Sequence, residues 1–137
     1  MITTNTYLHF PGTCEEAVNF YAATFGGKIV MMIKGEDAPA GAECAPEFKG
    51  KIMHARMTIG SAVLMASDCP PDRYDKPQGL CVNIGVDSPQ EADRIYAALA
   101  KGGQQTMPIE ETFWAQRFGM CIDRFGIPWM VNCEKQR

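Results

Sequence analysis

The sequence predicts an α+β fold made of two βαβββ modules that form a concave mixed sheet with the helices outside. Three regularities carry that prediction. Two segments share one helix signature, with a capping box at the start and a glycine pair at the end. Gly102 follows Gly26 by 76 positions, slightly more than half of the 137-residue chain. Each helix is preceded by one strand-like run and followed by three.

The first strand-like run covers residues 7–10, where His9 alternates with the apolar pair Leu8 and Phe10 and so faces the other side. Thr13-Cys14-Glu15-Glu16 then reads as a capping box, the threonine hydroxyl accepting from the Glu16 amide while the glutamate reaches back. Val18, Tyr21, Ala22 and Phe25 recur at helical spacing as one apolar stripe. Gly26-Gly27 ends the helix, because glycine takes the left-handed stop conformation without penalty. Strand-like runs follow at 28–34, 52–59 and 62–67, the last two joined by a tight turn through Gly60. In the run 52–59, His54, Arg56 and Thr58 share one face, and Met53, Ala55, Met57 and Ile59 share the other.

The second half repeats the recipe. A run at 80–86 leads to Ser88-Pro89-Gln90-Glu91, again a capping box, with proline at the first helical position where its missing N–H costs nothing. Ala92, Ile95, Tyr96 and Leu99 form the stripe, and Gly102-Gly103 closes it. Runs at 104–110, 117–123 and 128–133 complete the module, with a turn through Gly126. The polar stretches 35–50 and 69–79 lack periodicity; the first reads as a lid-like excursion and the second as a linker. One domain is expected, with module one at about 1–68 and module two at 80–137. A single helix covers only one face of a four-stranded sheet. Two such sheets side by side leave a hollow, the usual place for a small ligand.

Composition narrows the partners. Apolar residues at 46% and charged residues at 21% are globular proportions. A net charge of −3 without any run of lysine or arginine speaks against nucleic acid. No apolar stretch approaches the roughly 20 residues of a bilayer span, and the first residues lack a signal-peptide pattern, so a cytoplasmic location without membrane contact is expected. Cys14, Cys44, Cys69, Cys81, Cys121 and Cys133 are scattered without paired spacing, which predicts reduced thiols and no structural zinc. Cys81, Cys121 and Cys133 are expected to pack as small hydrophobes.

Five segments spread in order along the chain carry a resemblance. They are Cys14-Glu15-Glu16-Ala17 running to Phe25-Gly26-Gly27; Met53-His54-Ala55-Arg56; Leu64-Met65-Ala66-Ser67-Asp68; Glu111-Thr112-Phe113-Trp114-Ala115; and Asp123-Arg124-Phe125-Gly126-Ile127-Pro128-Trp129-Met130. With the paired modules, they resemble the PhnB-like branch of the vicinal oxygen chelate (glyoxalase/bleomycin resistance/dioxygenase) superfamily. The resemblance implies a small-molecule ligand between the modules and a homodimer. Members often carry a methyltransferase label, but the sequence has no G-x-G-x-x-G loop after a strand to hold S-adenosylmethionine.

The superfamily normally holds a divalent metal with His, Gln and Glu side chains on the first and last strands of each module. Carried over position by position, those slots hold Tyr7 or His9, Met65, Cys81 or Asn83, and Met130. Thioethers are poor ligands for hard divalent ions, so no metal and no other cofactor is expected. His54 with Asp68 is the candidate acid/base pair, since a carboxylate beside an imidazole fixes its tautomer and raises its basicity. His9, Arg56, Trp114 and Phe118 are the candidate ligand-binding residues: arginine for its planar donor fork, Trp114 for an aromatic wall on a loop. Asp123 is expected to cap a turn and Trp129 to lie in the core. These residues leave two roles open, an enzyme or a protein that sequesters a small molecule.

Overall fold

The computed structural model describes residues 1–37 and 49–135. The chain divides into two compact units, Met1–Asp75 and Lys76–Arg137. The first unit runs β1 (Thr6–Phe10), α1 (Cys14–Phe25), β2 (Lys28–Lys34), β3 (Ile52–Ile59) and β4 (Ala62–Asp68). The second runs β5 (Val82–Val86), α2 (Pro89–Ala100), β6 (Gln104–Glu110), β7 (Ala115–Ile122) and β8 (Pro128–Glu134). Each unit is the expected βαβββ module, and its strands form a four-stranded mixed sheet, ordered β1-β4-β3-β2 in one and β5-β8-β7-β6 in the other. The residues 35–50 read as a lid lie mostly outside the described residues; of them, Gly35–Asp37 form a short 3-10 turn.

In both sheets the first strand pairs in parallel with the last, Thr6 beside Leu64 and Val82 beside Trp129, while the remaining pairs are antiparallel. Helix and sheet bury one face of each unit. Leu8, Phe10, Met57 and Ala66 are buried in the first unit with Ala17, Val18 and Tyr21 of α1, the Phe10 and Tyr21 rings 6.5 Å apart. In the second, Trp129, Val131 and Cys133 are buried with Ala92, Ile95, Tyr96 and Leu99, the stripe the sequence predicts for α2.

The glycine pairs explain the repeat. Gly26 caps α1 in the left-handed conformation (φ 67°), and Gly102 takes the same region (φ 77°) one residue beyond the cap of α2. The second glycine of each pair serves another purpose. A Cβ on Gly27 would stand 2.9 Å from the Thr58 carbonyl oxygen, and one on Gly103 would collide with that of Ile122. Each helix therefore re-enters its sheet through a place only glycine fits.

Four sequence expectations need correction. Thr13 makes no side-chain cap; the Cys14 amide at the start of α1 is taken instead by Asp68. In α2 only half of the box forms, because Ser88 Oγ accepts from the Glu91 amide while the Glu91 carboxylate turns to Arg94. On β3, Ile52 is fully buried while Met53 is exposed, because a register shift opposite Ile33 and Lys34 inserts Met53 as an extra residue and breaks the alternation. β5 also begins at Val82, leaving Leu80 exposed and Cys81 half-buried outside the strand rather than packed in it.

Candidate functional site

β1 alternates strictly. Leu8 and Phe10 go under α1, so Tyr7 and His9 stand on the opposite face of the sheet. The parallel register sets Tyr7 beside Met65 and His9 beside Ser67, and the next ladder sets Arg56 beside Met65. Beyond that, His54 and Arg56 lie opposite Ile33 and Met31 on β2. The face turned away from α1 thus gathers Tyr7, His9, His54 and Arg56, as the alternation of residues 52–59 predicts for the last two.

Tyr7 is the hub of this face. Its hydroxyl lies 3.1 Å from His54 Nδ1, and the two rings stack with centroids 5.7 Å apart. The His9 ring centroid is 5.2 Å from that of Tyr7. With the imidazole proton on Nε2, the phenol donates to Nδ1 and leaves the Nε2–H free to donate outward. Arg56 is exposed, and no ion pair holds it among the described residues. The sequence offers Tyr7 as an alternative to His9 in the first metal slot, two residues away on the same face, but not as the partner of His54.

The expected His54–Asp68 pair is not the arrangement found. Asp68 lies at the end of β4, buried, and its Oδ1 accepts the amides of Gly12 (3.0 Å) and Cys14 (2.9 Å). Its Oδ2 accepts the Ile52 amide at 2.9 Å. The carboxylate ties the start of α1 and the start of β3 to the end of β4, which is structural work, whereas His54 is met by Tyr7. The sequence places Asp68 at the end of an apolar run, but it cannot show that three distant backbone donors converge there.

His9 also borders a recess of about 240 Å³ shared with Cys69, Arg73 and Asp75. Burial first, then the carboxylates of Asp68, Asp75 and Asp72, push the Cys69 thiol above its ordinary value. At neutral pH it is a protonated thiol and a poor nucleophile.

In the second unit, β5 and β8 pair so that Asn83 lies beside Met130 and Gly85 beside Asn132, on the face away from the buried Trp129 and Val131. Phe118 of β7 lies opposite Asn132 and is nearly buried, its ring 5.3 Å from that of Trp114. Trp114 packs edge-on against Phe113 at 4.7 Å, and Phe113 is almost wholly exposed. Asp123 accepts the Phe125 and Ile127 amides and, at 2.7 Å, the indole N–H of Trp129, so it caps the β7–β8 turn as expected.

The superfamily's metal slots can now be tested against side chains. Tyr7 stands beside Met65 and Asn83 beside Met130, and Cys81 lies outside its strand. Met65 and Met130 supply thioethers, which suit a hard divalent ion poorly, and His9, the other first-strand candidate, stands beside Ser67. Among the described residues, no group of three or more His, Cys, Asp or Glu side chains is placed to hold a metal ion. No described helix is long and apolar enough to cross a membrane.

Comparisons with known proteins agree with this architecture. The family model for 3-demethylubiquinone-9 3-methyltransferase matches residues 2–132. The crystal structure of protein PA1353 from Pseudomonas aeruginosa is 44% identical, with a TM-score of 0.91 over 99% of this chain and 100% of that one. A PhnB protein from Bacillus cereus is 25% identical, with a TM-score of 0.82 over 96% of this chain and 99% of that one. A glyoxylase/bleomycin resistance protein/dioxygenase domain from Frankia is 14% identical with a TM-score of 0.67, covering 98% of each chain, and shares the fold. The chain belongs to the 3-demethylubiquinone-9 3-methyltransferase family, is similar to a PhnB protein, and has the fold of a glyoxylase/bleomycin resistance protein/dioxygenase domain.

Proposed function

We propose that this protein binds a small molecule on the face of its first sheet turned away from α1, without a metal. The observation that carries the reading is the cluster of Tyr7, His9 and His54 rings on the same sheet face as Arg56, which no ion pair holds among the described residues. Stacked rings favour a flat ligand, and the guanidinium fork favours a carboxylate or similar oxyanion on it. Trp114 and Phe118, with rings 5.3 Å apart, are proposed as an apolar contact surface of the second unit by itself. Sequestration without turnover fits best, because Asp68 is occupied by backbone amides and is not free to support His54. Catalysis is the second reading; the Tyr7–His54 hydrogen bond favours it, since in the other tautomer Nδ1–H donates to the phenol oxygen and leaves Nε2 as an outward-facing base.

Metal analysis of protein purified without chelator, followed by melting shifts with a panel of flat carboxylates, tests the proposal. Melting shifts independent of added metal, and reduced about tenfold in effective affinity by His54→Ala or Arg56→Ala, are expected. Stoichiometric divalent metal that disappears on replacing His9 or His54 would restore the metalloenzyme reading. A homodimer is proposed from the family resemblance alone, and a scattering mass equal to one chain would reject it.

A further inference from the structure

The first sheet carries a polar group that the reading above does not use. Ser67 of β4 is only 8% exposed, and its hydroxyl makes no hydrogen bond among the described residues. It lies beside His9 in the parallel ladder and so shares the face turned away from α1, while its neighbour Ala66 lies beside the buried Leu8. One step past the Ala55–Ala66 pair of the next ladder come His54 and Ser67. β4 runs between β1 and β3, and Tyr7 reaches over it to His54. The Tyr7, His9 and His54 rings therefore stand around Ser67, which forms the floor between them. Buried polar side chains are nearly always satisfied, so this hydroxyl calls for a partner. An incoming group can reach it: among the described residues the one side-chain oxygen or nitrogen both sealed and unpartnered is Asn132 Oδ1, in the second unit.

The register says what that partner is. The face is ordered in rows across the strands, with Tyr7, Met65, Arg56 and Met31 in one row. His9 and Ser67, then His54 and Ile33, make the next. Two residues of strand, about 6.7 Å, separate the rows. A flat ligand with its carboxylate on Arg56 therefore meets Ser67 at the far end of one six-membered ring. A second carboxylate is a poor match there, because Ser67 has no charge to offset the lost hydration. A hydroxyl suits the position, since it gives one hydrogen bond and accepts others, as serine does.

Resting on the flat-carboxylate reading above, we infer that Ser67 is the specificity-determining residue of this site and selects a planar carboxylic acid with a hydroxyl para to its carboxylate. The ligand hydroxyl bonds to Ser67 Oγ while the carboxylate meets Arg56. A ligand without that hydroxyl leaves the serine as unsatisfied as it is in the free protein, so the selection costs the fold nothing and acts only on the occupant.

The test is a titration of the ¹⁵N-labelled protein with 4-hydroxybenzoate, 2-hydroxybenzoate and benzoate, read at the backbone amides of the first sheet. 4-Hydroxybenzoate should bind about three- to tenfold more tightly than the other two, the worth of one net hydrogen bond. Ser67→Ala should abolish that preference and leave the benzoate affinity unchanged. It removes only an unpartnered hydroxyl, so the melting temperature should hold or rise. Ser67→Cys, which keeps the shape and weakens the hydrogen bond, should lose most of the preference and serves if the alanine variant does not fold. Arg56→Ala should weaken all three ligands together. Parent affinities that do not favour 4-hydroxybenzoate, or a preference that survives Ser67→Ala, would overturn the inference and leave the sheet-face reading standing on benzoate and Arg56. No saturable shift with any of the three would overturn both.

Discussion

The Asp68 carboxylate accepts the Cys14 amide at 2.9 Å across 54 residues of chain, so the first helix is capped by the end of a strand rather than by its own neighbour. The same oxygen takes the Gly12 amide, and the second oxygen takes that of Ile52. Asp68→Ala should therefore cost about 3–4 kcal/mol, because three buried donors lose a charged acceptor at once. Asp68→Asn should cost about half of that, since its NH₂ would face the Ile52 N–H. Urea midpoints measure both, and a variant as stable as the parent would contradict the latch.

The two caps of similar sequence should respond differently. Thr13→Ala is expected to stay within about 0.5 kcal/mol of the parent, because the Thr13 hydroxyl caps nothing. Ser88→Ala should cost about 1 kcal/mol, through loss of the 3.1 Å bond from the Glu91 amide. Equal losses at both positions would show that the local cap forms in α1 after all.

Alanine substitution should separate the glycines by mechanism. Gly26→Ala is a conformational cost of about 1 kcal/mol. Gly27→Ala meets the Thr58 carbonyl at 2.9 Å and should cost about 1–3 kcal/mol, and Gly103→Ala, which collides with the Ile122 carbonyl, should cost the most or prevent folding. Gly85→Ala, in open space, should be nearly neutral. Thermal melting of the four variants gives the order.

Two buried thiols set an alkaline limit. Burial, aided by Asp68 and then Glu15, pushes the Cys14 thiol from 9.0 up to about 12; burial, aided by Asp123, pushes Cys121 up to about 11. The folded state holds these protons more tightly than the unfolded chain, so their contribution is intact below pH 9 and is lost as pH rises through the folded values. Stability should fall by up to about 1.4 kcal/mol per pH unit for each thiol in that window. Cys14→Ala and Cys121→Ala should each flatten the fall, as measured by urea unfolding across the alkaline range. At neutral pH both thiols should resist alkylation until the protein unfolds.

The repeat was legible because helix stripes, glycine stops and strand alternation are local patterns, and they gave both modules and the α2 core residues. What stayed hidden depends on distant pairing. The buried stripe of α1 includes Cys14, Ala17 and Thr24 beside the expected Val18 and Tyr21, and only the folded β4 brings Asp68 to the start of that helix. Met53 was assigned the wrong face because its bulge arises from the partner strand β2. His54 and Arg56 were placed correctly by alternation alone, yet the partner of His54 was not. Tyr7 lies 47 residues away, and the parallel ladder that places β1 beside β4 leaves no mark in either strand by itself.

That ladder has a cost during synthesis. β1 and α1 leave the ribosome long before β4 exists, and at 5–20 residues per second the 54 residues separating Cys14 from Asp68 take about 3–10 s to make. Until β4 is made, Phe10 has no parallel partner strand and α1 has only β2 and β3 to lie against, so the nascent first half keeps apolar surface uncovered until Asp68 emerges.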